Sequence, residues 1–416
     1  MKLGLTSLKE GFLIFSWALY DLANQFFALN IVSLYFVQWL TLEKKVPDVF
    51  YGISFGVSTV FIALLAPILG AISDATGRRK PPLVFLTLLS IVFTMFLGVK
   101  ESIFLNLVFF AIANFGCSTA TVFYNALMVN IAPRNRLGLI SGLGKACSYA
   151  GAILALYFMK PVVLEKGYQA TFLPTGILFL IFSLPCLMFV KDSATLDKRG
   201  WLWFFKKDKI IEIFAALRKT AFNVSAFPGL LDFLKAEFFG LCAVNAVVLF
   251  MSVYARKAFG LDEAGVIRLI GFSTLFAIAG SLLSGFLSDY LGHRRCLAAV
   301  FILWIICFAA GAFAKNQTLY LVIGALVGIT LGGTWVVSRS LAIDLVPSGR
   351  IGEVFGLFNL VGYVSAIVGA IFWGLITLLL NRFGELGYRI ALFSLVAFMI
   401  PGLSYLLRIP VKEKGF

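Results

Sequence analysis

Apolar residues run along the chain in twelve long stretches, at residues 12–40, 50–72, 82–99, 102–131, 138–160, 170–190, 231–255, 264–287, 297–314, 317–345, 354–380 and 389–408. A helix needs about 20 apolar residues to cross a bilayer. Strands of a transmembrane barrel would instead show short alternating segments. The longer runs can tilt or protrude. The pattern therefore predicts an all-α integral membrane protein with twelve transmembrane helices. The first run follows Lys2 and Lys9. It carries no small-residue cleavage site and is too long for a signal-peptide core, so it is expected to remain as the first span.

Composition agrees with this pattern. The chain is 61% hydrophobic and 13% charged over 416 residues, against about 45–50% and 25% in soluble domains. A soluble enzyme, a disordered chain and a disulfide-rich module are excluded. The six cysteines (Cys117, Cys147, Cys186, Cys242, Cys296 and Cys307) all lie inside apolar runs, as buried small residues do. With one histidine, His293, a site built on several His ligands is excluded. No metal site and no cofactor are expected.

The net charge of +15 first suggests nucleic acid, but the charges sit in bursts between apolar runs, as membrane topology requires. About 21 Lys and Arg fall on the side that holds both termini and about 11 on the other, which places both termini in the cytoplasm. A bacterial inner membrane is the expected location, and a monomer the expected state. The longest polar interval, 191–230, contains Trp201-Leu202-Trp203-Phe204-Phe205-Lys206-Lys207, followed by Ile210, Ile213, Phe214, Leu217 and Ala221 at helical spacing. It reads as an interfacial amphipathic helix on anionic lipid, or equally as a plain linker. The expected domains are therefore 1–190, a linker at 191–230, and 231–416.

The chain is also written twice. Gly70-Ala71-Ile72-Ser73-Asp74-Ala75-Thr76-Gly77-Arg78-Arg79-Lys80 follows span two. Gly285-Phe286-Leu287-Ser288-Asp289-Tyr290-Leu291-Gly292-His293-Arg294-Arg295 follows span eight, 215 positions later. A second pair lies after spans four and ten, 214 positions apart. It runs from Asn125 through Asn130, Pro133 and Arg136 to Gly138, and from Arg339 through Asp344, Pro347 and Arg350 to Gly352. Two matches at nearly one offset mean two six-span halves of the same orientation. In each loop a glycine lets the backbone turn, and the Asp can face the positive end of a neighbouring helix. Gly70, Asp74, Gly77, Arg78, Arg79, Lys80, Asp289, Gly292, Arg294, Arg295, Asp344 and Arg350 are the candidate cytoplasmic gate.

This repeated loop resembles the signature of the major facilitator superfamily, and the duplicated twelve-span layout looks like its whole fold, two pseudo-symmetric six-helix bundles. The resemblance implies that Asp74 contacts the start of span eleven near Gly352–Val354, and Asp289 the start of span five near Gly138. Asp344 would be the acid partner of nearby arginines, with Asn130 as its neutral counterpart. A narrower resemblance rests on Ser16-Trp17-Ala18-Leu19-Tyr20-Asp21-Leu22-Ala23-Asn24, on Ser141-Gly142-Leu143-Gly144 with Gly151, and on Glu353-Val354-Phe355-Gly356-Leu357-Phe358. These look like the vacuolar-effluxer branch, which includes autophagy-related amino-acid exporters. Span five has glycines but lacks the proline of the drug–proton antiporter motif.

Polar side chains at bilayer depth cost at least ~2.5–3.5 kcal/mol when ionisable and so need a partner, a watery cavity or a task. The candidates for a substrate and coupling cavity are Asp21, Asn24, Gln25 and Asn30 in span one; Asn114, Tyr124 and Asn125 in span four; Glu237 and Asn245 in span seven; Trp335 and Arg339 in span ten; and Asn359 in span eleven. Most fall on spans one, four, seven and ten, which the resemblance makes the cavity helices. Asp21, Asn24 and Gln25 can share a helix face. Asn30 and Asn245 correspond across the repeat. Arg339 is a bidentate anchor for a carboxylate, or else an internal partner of Asp21 or Glu237. Asp21 or Glu237 is a candidate proton site, although Glu237 could equally pair with Lys235 or Lys145.

The expected function is secondary active transport of a small polar solute, an amino acid or related organic ion, by alternating access, with H+ or Na+ as a possible coupling ion. A lipid carrier of the same fold and a non-transporting receptor are the alternatives. An enzyme would need a catalytic constellation that the loops do not supply. No Walker-type phosphate loop occurs, so ATP is not the direct energy source.

Overall fold

A computed structural model describes residues 8–192, 227–314 and 316–410. The stretch expected to form an interfacial helix, including Trp201 to Lys207, lies outside the described residues. Twelve helical segments follow the twelve apolar runs: α1 (Leu8–Glu43), α2 (Asp48–Thr76), α3 (Lys80–Phe96), α4 (Ile103–Ile131), α5 (Leu137–Lys166), α6 (Phe172–Phe189), α7 (Leu230–Phe259), α8 (Glu263–Leu291), α9 (His293–Phe313), α10 (Gln317–Asp344), α11 (Ile351–Leu379) and α12 (Glu385–Arg408). Eleven are long and apolar enough to cross a membrane; α3, at 17 residues, is shorter but apolar. Phe85, Phe104 and Leu378 are exposed on these helices. Water-soluble proteins keep such apolar patches small, so these side chains face lipid in an integral membrane protein.

The described residues divide into two compact units. The first falls within Met1–Arg134, Leu143–Leu217 and Ser348–Gly356, the second within Asn135–Gly142, Arg218–Pro347 and Leu357–Phe416. Each unit is thus one half of the chain plus a short segment from the other half.

In the first unit α1 packs on α6, α4 on both α2 and α3, and α3 on α6. Aromatic rings form its centre. Phe36 lies 5.0 Å from Phe110 and 5.8 Å from Phe172, and Trp39 meets Phe172 edge-on at 5.6 Å. Each such pair adds about 0.5–1.5 kcal/mol beyond burial. Within α1, Ala28–Leu34 and Trp39–Glu43 are π-helical, and such wide turns cluster at functional sites.

In the second unit the most extensive packing is α8 against α10, with α12 lying against α7 and α9. Gly324, Gly328 and Gly332 on α10 are spaced four apart and meet Leu269, Ser273 and Ala277 of α8. A Cβ at Gly332 would stand 2.5 Å from the Ala277 carbonyl oxygen. Lipid gives no hydrophobic drive for helix association, so close backbone approach through small residues supplies it. In the same unit Arg389 on α12 donates to carbonyls of Ala258 on α7 at 3.1 Å, and of Ala312 and Ala314 at 2.9 and 2.6 Å. Glu385 accepts from its Nε at 2.7 Å. One guanidinium thereby satisfies the orphan carbonyls at two helix ends.

Candidate functional site

The two repeated loops build two matching clusters, one in each unit. In the first, α2 runs to Thr76 and stops because Gly77 takes a left-handed φ of +66°. Asp74, on the last turn, accepts the Glu353 backbone N–H at 2.8 Å. An Asp at a helix N-terminus satisfies orphan N–H groups and complements the dipole. Gly70 and Gly352 are in backbone contact, with no room for a Cβ at either. Arg79 is buried; it pairs with Asp74 at 3.2 Å and donates to the Ala126 carbonyl at 2.9 Å and to Asn130 Oδ1 at 3.5 Å. Arg350 pairs with Glu353 at 2.6 Å.

Asp192, which the sequence reading did not single out, completes this cluster. Its carboxylate accepts the backbone N–H groups of Arg79 and Lys80, both at 2.9 Å, and so caps α3. Lys80 Nζ donates to the Met188 carbonyl at 3.0 Å, and the Arg78 N–H to Thr76 Oγ1 at 3.3 Å. Asp192 could have been found by its position, as the first acid after span six.

In the second unit Asp289 accepts the backbone N–H of Gly138 at 2.7 Å and of Leu139 at 2.8 Å, capping the first turn of α5. Gly285 lies against Gly138, again without space for a Cβ. Gly292 has φ +95° and ends α8. Asp344, expected beside arginines, has His293 as a partner: Nε2 stands 3.4 Å from Asp344 Oδ2 and 4.0 Å from Asp289 Oδ1. Arg294 is turned to the carbonyls of Leu406 and Leu407 on α12, and Arg295 is exposed.

The polar residues inside the spans fall into separate arrangements. In the first unit Asp21 is buried where α1 meets α5. A Cβ at Gly144 would lie 2.9 Å from Asp21 Oδ2 and 2.7 Å from the Trp17 ring. Gln25 donates to Ser148 of α5 at 3.0 Å, whereas Asn24 accepts from Cys117 Sγ of α4 at 3.7 Å. The three do not act on one neighbour. Tyr124 is stacked on Trp17 at 4.6 Å and on Tyr20 at 4.7 Å, and its carbonyl accepts the Trp17 indole N–H at 3.1 Å. Asn114 donates to Ser58 at 2.7 Å. The buried Asn125 Oδ1 has no hydrogen-bond partner among the described residues.

Asn30 and Asn245, matched by the repeat, have unlike partners. Asn30 donates to Thr175 of α6 at 3.1 Å, while Asn245 donates to Ser365 of α11 at 3.3 Å. In the second unit Glu237 is completely buried and accepts from Ser338 Oγ of α10 at 2.5 Å. Its other oxygen, Oε2, has no hydrogen-bond partner among the described residues. The expected alternative pairing with Lys235 does not form, because Lys235 Nζ lies over the Tyr405 ring at 5.2 Å. Arg339, next to Ser338, is buried; Trp335 and Asn359 are half-buried.

The second unit therefore holds a buried carboxylate, Glu237 on α7, bonded to Ser338 of α10, and a buried guanidinium, Arg339, at the next position of α10. A buried guanidinium can bind a carboxylate, and a buried carboxylate can bind an ammonium group or take up and release a proton.

Comparison with known proteins agrees with the architecture. The Major Facilitator Superfamily profile matches residues 22–370 and 238–416. The uncharacterized MFS-type transporter YxiO of Bacillus subtilis (strain 168) is 25% identical over 416 residues, covering 95% of this chain and 94% of that protein. Autophagy-related protein 22 of Kluyveromyces lactis is 23% identical over 384 residues, covering 83% of this chain and 77% of the relative. Among solved structures, the human organic anion transporter MFSD10 superposes with a TM-score of 0.75 at 13% identity, over 95% of this chain and 98% of that one. The chain belongs to the Major Facilitator Superfamily and is an integral membrane transporter of that fold.

Proposed function

We propose that this transporter moves a small zwitterionic or anionic solute, an amino acid or a related organic ion, by alternating access. The observation that carries the reading is that the second unit buries both an acid and a base, on α7 and α10. Arg339 is buried beside Ser338, whose hydroxyl is bonded to the fully buried Glu237. A guanidinium presents a planar fork to a carboxylate, and a carboxylate suits an ammonium group or a proton. The vacuolar-effluxer resemblance of α1, around Tyr20, Asp21 and Asn24, supports the amino-acid class. Glu237 or Asp21 carries the coupling proton.

The loop clusters around Asp74 and Asp289 act as inner latches that close and release once per cycle. The excess of Lys and Arg on one side supports cytoplasmic termini in a bacterial inner membrane. The protein works as a monomer.

Counterflow into proteoliposomes tests the function, using labelled neutral and acidic amino acids, with sugars and nucleosides as controls. Arg339→Lys retains the charge but loses the fork, so it keeps expression and folding while carboxylate-bearing solutes lose exchange. Unchanged exchange in Arg339→Lys removes Arg339 as the anchor, and exchange of sugars alone overturns the substrate class.

A further inference from the structure

The two latches differ in the groups that stand beside their loop acids. In the first unit Arg79 stands between Asp74, at 3.2 Å, and the amide of Asn130, at 3.5 Å. In the second unit His293 stands between Asp289, at 4.0 Å, and Asp344, at 3.4 Å. The repeat pairs Asp289 with Asp74 and Asp344 with Asn130. The first latch therefore combines a permanent cation with a neutral amide. The second combines the only imidazole of the chain with two carboxylates.

We propose that His293 is a positioning residue for Asp289 that makes the second latch respond to proton concentration, while the Arg79 latch does not respond. A guanidinium keeps its charge at every pH a cell meets. An imidazole gains or loses its charge between about pH 5 and 8. Two carboxylates face His293: Asp289 at the end of α8 and Asp344 at the end of α10. On its own helix, Arg294 is committed to the carbonyls of Leu406 and Leu407, and Arg295 is exposed.

Protonated His293 offsets the repulsion between the two carboxylates and fixes Asp289 where it accepts the Gly138 and Leu139 amides. With His293 neutral, Asp289 keeps those two amides but no longer feels the positive charge of the imidazole. The start of α5 is then held less firmly. By linkage, closing this latch takes up a proton, and acid on that side favours the closed form. This rests on the latch role proposed above, but it requires no particular solute and no proton-coupled transport.

Hydrogen–deuterium exchange of the purified full chain in lipid nanodiscs tests it, with rates corrected for intrinsic exchange. The reporter is the peptide covering 135–142, and the internal control is the peptide covering 351–356, held by Asp74. In the wild-type protein, lowering the pH from about 8 to about 6 slows exchange at Gly138 and Leu139 by about five-fold or more, and leaves residues 351–356 unchanged. His293→Arg is protected at both pH values, and His293→Gln exchanges fast at both. Equal protection of 135–142 at the two pH values in the wild-type protein overturns the proposal. So does a pH response that survives in His293→Gln or His293→Arg. Should His293→Gln lose protection throughout the chain by misfolding, the wild-type series and His293→Arg still decide the matter.

Discussion

The carboxylate of Asp74 accepts the backbone amide of Glu353, 279 residues further along the chain. A bond between such distant positions joins the last turn of α2 to the first turn of α11. It has a counterpart in Asp289 and Gly138, which are 151 residues apart. In both cases a short acid finds orphan N–H groups at a helix start, and a backbone contact between glycines, Gly70 with Gly352 or Gly285 with Gly138, brings the two within reach.

Removing the charge of Asp74 is expected to loosen this bond without unfolding the helices. Asp74→Asn should cost about 1 kcal/mol, the usual worth of a capping side chain and its dipole attraction. It should also remove the ion pair between Arg79 and position 74. Hydrogen exchange of residues 351–356 will rise several-fold, while residues 135–142 keep wild-type rates.

The glycine seam between α8 and α10 makes a stability prediction. Gly332→Leu places a side chain against the Ala277 carbonyl and Ser281, where no space exists. Overpacking of this kind costs about 1–3 kcal/mol, read as a lower melting temperature in detergent. Gly374→Leu, at a glycine with open space around it, should leave the melting temperature unchanged.

Arg389 ties α12 to the ends of α7 and α9. In Arg389→Lys one ammonium must replace a fork that serves Ala258, Ala312, Ala314 and Glu385. Unsatisfied buried carbonyls cost about 1–3 kcal/mol each. The expected result is a clear drop in thermal stability, with the identity of the transported solute unaltered.

Glu237 and Asp21 compete for the role of proton carrier. Glu237→Gln keeps the Ser338 bond but removes the titrating oxygen, so gradient-driven transport is lost while counterflow persists. Asp21→Asn is the matched measurement on the first unit. The variant that loses gradient-driven flux and keeps counterflow marks the carrier, and the same outcome in neither excludes both.

The spans, the repeat and the two loop acids were legible in the sequence because hydropathy and in-register motifs report depth and position along the chain. Direction around a helix was not. Gln25 and Asn24 are neighbours at one depth, yet they reach Ser148 and Cys117 on different helices. Lys235 lies two residues from Glu237 but turns to Tyr405. Asn30 sits inside a π-helical segment, where the wider turn shifts the side-chain phase. Its repeat mate Asn245 lies in a regular helix, so equal offset did not give equal partners. His293 in the latch was missed for another reason. The loop alignment sets it opposite Arg78, whereas in space it takes the place of Arg79.

The segments that each unit borrows bear on how the protein is made. The first unit contains Ser348–Gly356, so its Gly70 contact and the Glu353 amide bonded by Asp74 are missing until the ribosome has passed those codons. Chains enter the bilayer N-terminal end first. The opening six helices therefore spend much of translation as an incomplete body, without the segment that packs on Gly70. A gene cut in the linker yields two fragments, each lacking a piece of its own packing. Such fragments should mature only when both are synthesised in the same cell.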